Sequence, residues 1–141
     1  MTDCVFCAIV AGTAPARIVY RDEEVLGFLD IRPIAAGHTL LVPRKHSSGL
    51  ADLPAEAGAA LFRAGQRVAA AARSSSLAAD GVNLALNDGR AAFQTVFHTH
   101  LHVVPRHAGD KLRFVAGMLT RRPNDMDSIA AGLRTELSAY Q

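Results

Sequence analysis

The sequence predicts an α+β domain in which about five antiparallel strands form one sheet and two main helices pack against it. Three observations carry this expectation. Extended runs succeed one another across short polar connections, as hairpins do; two longer segments show helical periodicity; and strands do not alternate regularly with helices, as they would in a parallel sheet.

Phe6 to Ala11 reads as a short helix that stops at Gly12, with Pro15 beyond it. Arg17 to Arg21 and Val25 to Asp30 flank the polar Asp22-Glu23-Glu24 and read as a hairpin, closed at Ile31-Arg32-Pro33. Gly37 to Pro43 is a third strand, entered by a glycine and ended by a residue that cannot donate to a ladder. From Pro54 to about Ser74 the apolar positions Ala57, Leu61, Ala64, Val68 and Ala71 recur every three or four residues in an alanine-rich segment, which predicts a helix. Asp80-Gly81 turns the chain into a strand over Val82 to Asn87, Asp88-Gly89 breaks it, and Val96 to Pro105 is the fifth strand. A last helix is expected from about Met126 to Ala139, where Ile129, Leu133 and Leu137 share a face and Asp125 and Asp127 suit the positive end. Length and the lack of a repeat or linker predict one domain over residues 1–141, with motifs over about 3–110 and a helical tail over about 124–140.

Composition limits the function classes. Fifteen Lys and Arg against thirteen Asp and Glu leave a net charge of +2, too little for the broad basic footprint of a duplex nucleic-acid binder. The apolar stretch from Cys4 to Ala11 is too short to span a bilayer and no basic leader precedes it, so a cytoplasmic protein without membrane contact is expected. No GxxxxGK[ST] is present, which excludes a P-loop enzyme. Cys4 and Cys7 are the only cysteines, and their C-x2-C spacing reads as a pair of metal ligands or a redox pair.

Three of six histidines stand at His98, His100 and His102, alternating with Thr99, Leu101 and Val103. On a strand this spacing places them on one face, about 7 Å apart. Such a row can hold a metal, an anion, or a nucleophile with its helpers; spacing alone does not choose among them.

His98-Thr99-His100-Leu101-His102-Val103-Val104 resembles the signature of the histidine triad (HIT) family of nucleotide hydrolases and transferases. Cys4-Val5-Phe6-Cys7, Phe28-Leu29-Asp30-Ile31, Gly37 to Pro43 with His46, and Asn87-Asp88-Gly89 follow in the family's order, most like its bacterial Hint-type branch. The resemblance implies a HIT-like fold and His100 as the nucleophile toward the α-phosphorus of a purine nucleotide. A neutral imidazole suits that task near pH 7, with its second nitrogen donating to a main-chain carbonyl. His102 matches the residue that meets the phosphate and leaving group, and His38 another histidine near the reacting phosphate. Gln94 and Thr95 match phosphate-contacting positions, Asp30 the acceptor of ribose hydroxyls, and Asn87 a residue near ribose and phosphate. Val5, Phe6, Phe28 and Ile31 match the lining of the base pocket. Cys4, Cys7, His46 and His98 match four positions that hold a structural zinc in some bacterial relatives. A homodimer with two sheets side by side is also implied.

One position departs from the pattern: Phe93 stands where many relatives have glycine, and a bulky residue restricts φ there. The run from Arg106 to Arg122 carries Arg106, Lys111, Arg113, Arg121 and Arg122 and reads as a solvated basic loop, or as an attractor for the far side of a dinucleotide. Two rivals to a hydrolase stay open, a nucleotide-binding scaffold with incidental turnover and a nucleotidyltransferase that passes the nucleotide to another acceptor.

Overall fold

The computed structural model describes residues 4–121 and 125–141. Helix α1 (Val5–Val10) precedes strands β1 (Ile18–Arg21), β2 (Val25–Leu29) and β3 (Thr39–Pro43). The long helix α2 (Ala55–Ser74) follows, then β4 (Gly81–Leu86), β5 (Leu101–Arg106), α3 (Lys111–Leu119) and α4 (Met126–Leu137). The strands form one sheet in the order β1-β2-β3-β5-β4, and every neighbouring pair is antiparallel. The expected five-stranded α+β architecture is therefore present.

Alternation along the strands divides the apolar residues between two faces. Val25 and Leu29 of β2, Leu41 of β3 and Val103 of β5 meet Leu61, Ala64 and Val68 of α2 and Ala130, Leu133 and Leu137 of α4. Leu26, Phe28, Leu40 and Val42 turn to the opposite face, where α1 inserts Phe6. Because Leu40 pairs with both Phe28 and His102, the histidine row lies on the α1 face.

Two expectations need correction. Residues 96–100 are not strand, because β5 begins only at Leu101. The chain bends there, and the Thr99 amide is held by the Ser47 carbonyl at 2.7 Å, so only His102 of the three histidines lies within a strand. The basic loop over 106–122 is instead the end of β5 followed by α3, whose Leu112, Val115 and Leu119 follow helical spacing that the charges obscured. Arg122 and the first residue of the expected tail, Asn124, lie outside the described residues.

Helix α3 packs closely on the loop after β2, since a Cβ on Gly117 would overlap the Ile34 carbonyl. Among the described residues no helix is long and apolar enough to cross a membrane.

Candidate functional site

His100 and His102 stand side by side, with ring centroids 4.9 Å apart, closer than ideal strand spacing because His100 lies on the bend before β5. Phe6 from α1 meets His100 edge-on at 5.1 Å and Phe28 at 5.4 Å, so two aromatic rings close one side of the histidine row. His38, at the entrance to β3, reaches His102 from the neighbouring strand.

Hydrogen bonds assign the tautomers. His100 Nδ1 lies 2.8 Å from the His98 carbonyl and must donate to it, which leaves the lone pair on Nε2. His38 Nδ1 accepts the Ile34 amide at 3.0 Å, so its proton sits on Nε2. That Nε2 lies 2.9 Å from His102 Nδ1, so His38 donates and His102 carries its own proton on Nε2. Among the described residues, the result is one histidine with a free lone pair beside another with a free N–H.

Burial keeps these rings neutral. It is the largest cause that lowers His38 to about 3 and His102 to about 4, assisted by neighbouring histidines and by Arg121. His100 is also lowered by burial, opposed by its bond to the His98 carbonyl and by the Asp30 charge. Although His38 Nε2 is 3.7 Å from Asp30 Oδ2, a neutral His38 makes this no ion pair, and the shorter contact to His102 takes the proton.

Asp30 follows β2 and is anchored at both oxygens. Oδ1 accepts the Arg32 amide at 2.9 Å and Oδ2 accepts the Arg121 guanidinium at 2.9 Å. Val5 and Ile31 are exposed, whereas Phe6 and Phe28 are buried. Gln94 is buried with its amide committed to backbone: it accepts from Gly89 N and donates to the Ser48 and Val96 carbonyls. Its geometry ties the loop after β4 to the loop after β3, and Asp88 reinforces the tie by accepting the Leu50 amide. Asn87 is half-buried just before that loop, and Thr95 is exposed beside Gln94.

A second cluster lies beside the row. Cys4 Sγ is 3.4 Å from His98 Nδ1, Cys7 Sγ is 3.3 Å from His46 Nδ1 and 3.5 Å from His98 Nδ1, and the two histidine nitrogens are 3.2 Å apart. His98 Nε2 donates to the Pro43 carbonyl at 2.8 Å, so a lone pair faces the cluster. One proton cannot satisfy four donor atoms that converge in this way, but one cation can. These spacings are those of a tetrahedron with bonds of about 2.0 Å to nitrogen and about 2.3 Å to sulfur. The four residues therefore fit a metal ion of zinc's preference.

Two supports escaped the sequence reading. Thr99 Oγ1 meets Ser47 Oγ at 2.6 Å and its amide meets the Ser47 carbonyl, which fixes the bend that carries His98 and His100. Arg121 returns from the end of α3 to Asp30, across 91 residues of chain. A threonine between two histidines and a buried serine gave no signal of pairing, and Arg121 looked like one of several surface cations.

The HIT domain pattern matches residues 11–109. An uncharacterized HIT-like protein of Mycobacterium tuberculosis is 53% identical over 135 residues, covering 96% of this chain and 93% of that protein. The zinc-bound crystal structure of a histidine triad family protein from Mycobacterium smegmatis superposes with a TM-score of 0.89 at 55% identity, covering 97% of this chain and 94% of the other. An Arabidopsis thaliana protein named adenylylsulfatase HINT3 is 35% identical over 131 residues, covering 93% of this chain and 66% of that protein. By sequence, by fold and by the arrangement of its three histidines, the chain belongs to the HIT family.

Proposed function

We propose that this protein is a nucleotide-binding hydrolase that cleaves at the α-phosphate of purine nucleoside phosphoramidates or nucleoside polyphosphates and releases a nucleoside monophosphate. The observation that carries the reading is the paired tautomer state, an Nε2 lone pair on His100 beside an Nε2–H on His102. His100 Nε2 attacks the α-phosphorus, forming an N–P bond while the bond to the leaving group breaks. His102 Nε2–H donates a hydrogen bond to the charge that develops on phosphate and leaving group, and the leaving group departs with the bonding electron pair and takes its proton from solvent water. Water then attacks the nucleotidyl-His100, forming the P–O bond of the monophosphate as the N–P bond breaks; the electron pair returns to His100 Nε2 and the proton of the attacking water goes to solvent. The Arabidopsis relative's name adds adenylyl sulfate, whose leaving group is sulfate, to the substrates worth testing.

Asp30 accepts ribose hydroxyls, Phe6 and Phe28 with Val5 and Ile31 take the base, and Asn87, Gln94 and Thr95 frame the phosphate. His38 acts through His102. Since the Gln94 side-chain amide is engaged with backbone, its part at the phosphate is indirect: it holds the loop that presents Thr95. Zinc in the Cys4, Cys7, His46 and His98 cluster would cross-link α1 to the sheet and supply no chemistry to the reaction, a reading supported by the fit of the donor set and by the zinc-bound relative. We read the protein as a cytoplasmic homodimer formed along the edge strand β4, whose Asn83 and Ala85 are exposed; light scattering would show a mass twice that of the 14.9 kDa chain.

The test is mass spectrometry of protein quenched rapidly after mixing with adenosine 5′-phosphoramidate, with His100→Ala in parallel. An adenylyl adduct on the native protein alone, followed by AMP release, is the expected result. Neither adduct nor AMP, from protein that binds AMP, would overturn the hydrolase reading in favour of a binding module.

A further inference from the structure

We infer that Arg121 is a positioning residue for ribose recognition, holding the Asp30 carboxylate in the orientation that meets the hydroxyls of a ribonucleotide. The inference rests on the reading of Asp30 as the ribose acceptor and extends it to a residue 91 positions away.

Arg121 lies just past the end of α3, which exposes most of its own apolar side chains and buries none of its residues fully. What brings this helix to the site is the close approach of Gly117 to the Ile34 carbonyl, on the loop between Asp30 and His38. From there Arg121 Nη2 reaches Asp30 Oδ2 at 2.9 Å and stands 3.5 Å from His38 Nδ1. The guanidinium turns inward even though its Nε is buried with no partner among the described residues. An arginine free to choose would keep that donor in water, so its placement is dictated by the carboxylate.

The consequence falls on Asp30. A carboxylate beside a β-strand end can rotate, and ordering it when a substrate arrives lowers affinity. Here Oδ1 is pinned by the Arg32 amide and Oδ2 by Arg121, so the plane of the group is set in advance. Each oxygen still has capacity for another donor, and a ribose diol offers two O–H groups. The charge of Arg121 also helps keep His38 and His102 neutral, which places the guanidinium within electrostatic reach of the histidine row.

The experiment compares kcat/KM for adenosine 5′-phosphoramidate and its 2′,3′-dideoxy analogue in native protein, Asp30→Asn, Arg121→Met and Arg121→Lys, with melting temperatures as a check on folding. Native protein is expected to prefer the ribonucleotide by about tenfold or more, the usual effect of losing a hydrogen bond to a charged group. Arg121→Met should lose most of that preference by slowing the ribonucleotide about tenfold more than the dideoxy analogue, and Arg121→Lys should restore part of it. Arg121→Met with the full preference, an equal fall on both substrates, or faster turnover of the ribonucleotide would each overturn the role of Arg121. A preference lost in Asp30→Asn but kept in Arg121→Met would leave the ribose reading of Asp30 standing without it. No preference in the native protein would remove the ribose reading itself.

Discussion

His38 Nε2 and His102 Nδ1 lie 2.9 Å apart with one proton between them, and the Ile34 amide decides which ring owns it by occupying His38 Nδ1. A main-chain N–H thus sets the state of a side chain on another strand. His38→Leu should release the His102 tautomer and lower kcat by about tenfold to hundredfold, up to the low end of what a positioned proton donor itself contributes. AMP binding, measured by calorimetry, should change far less. An unaltered kcat would show that His102 needs no such guidance.

Acid should destabilise the protein through the same pair. A histidine in an unfolded chain titrates near 6.5, whereas His38 is lowered to about 3 and His102 to about 4. Between those values the unfolded chain binds more protons than the folded one, so stability rises with pH and is lost as pH falls below about 6.5. Melting between pH 7 and 4.5 should reveal a loss on the order of a few kcal/mol. The slope should be shallower in His38→Leu, and identical slopes would place the acid sensitivity elsewhere.

Removing metal should affect stability before chemistry. Purified protein is expected to carry one zinc per chain by elemental analysis, and Cys7→Ser to carry much less. With free zinc at about a thousand times its dissociation constant, binding stabilises by about 4 kcal/mol, so a chelator should lower the melting temperature by many degrees. Turnover measured well below that temperature should persist longer than the metal does. A melting temperature indifferent to chelation would leave the cluster without a structural role.

Phe93 has φ near +72° and is 84% exposed, so its side chain bears a left-handed backbone without burying much surface in return. For a residue with a Cβ this conformation costs about 1–2 kcal/mol, partly offset by the extra freedom that glycine has when unfolded. Phe93→Gly should therefore stabilise by about 0.5–1 kcal/mol in urea titration, while Phe93→Ala, which keeps the Cβ, should not. If both variants behave alike, backbone conformation is not what Phe93 strains.

The strands and main helices were legible because alternation and three-to-four-residue spacing report burial directly, as Leu133 and Leu137 of α4 illustrate. The histidine row was legible because its spacing is local. Residues 96–100 misled because alternation persists through a bend that is held by hydrogen bonds to Ser47 and not by a neighbouring strand. Helix α3 was hidden by its cations, and the tie from Arg121 to Asp30 by chain distance, since a single ion pair between remote positions leaves no periodic trace. Tautomers could not be read at all, because they depend on partners such as the Ile34 amide and the Pro43 carbonyl.

His98 has two attachments whose combination matters for how the protein is handled. Its ring belongs to the cluster with Cys4 and Cys7, and its carbonyl receives the Nδ1–H of His100. A shortened chain that starts after Cys7 would retain all three histidines of the row and the entire sheet. It would nevertheless lose both sulfurs that face His98, leaving His46 alone of its cluster partners, together with the Phe6 ring that lies against His100. Trimming or fusing the N-terminus is therefore an intervention at His100, and activity compared across differently tagged preparations would reflect where each tag ends.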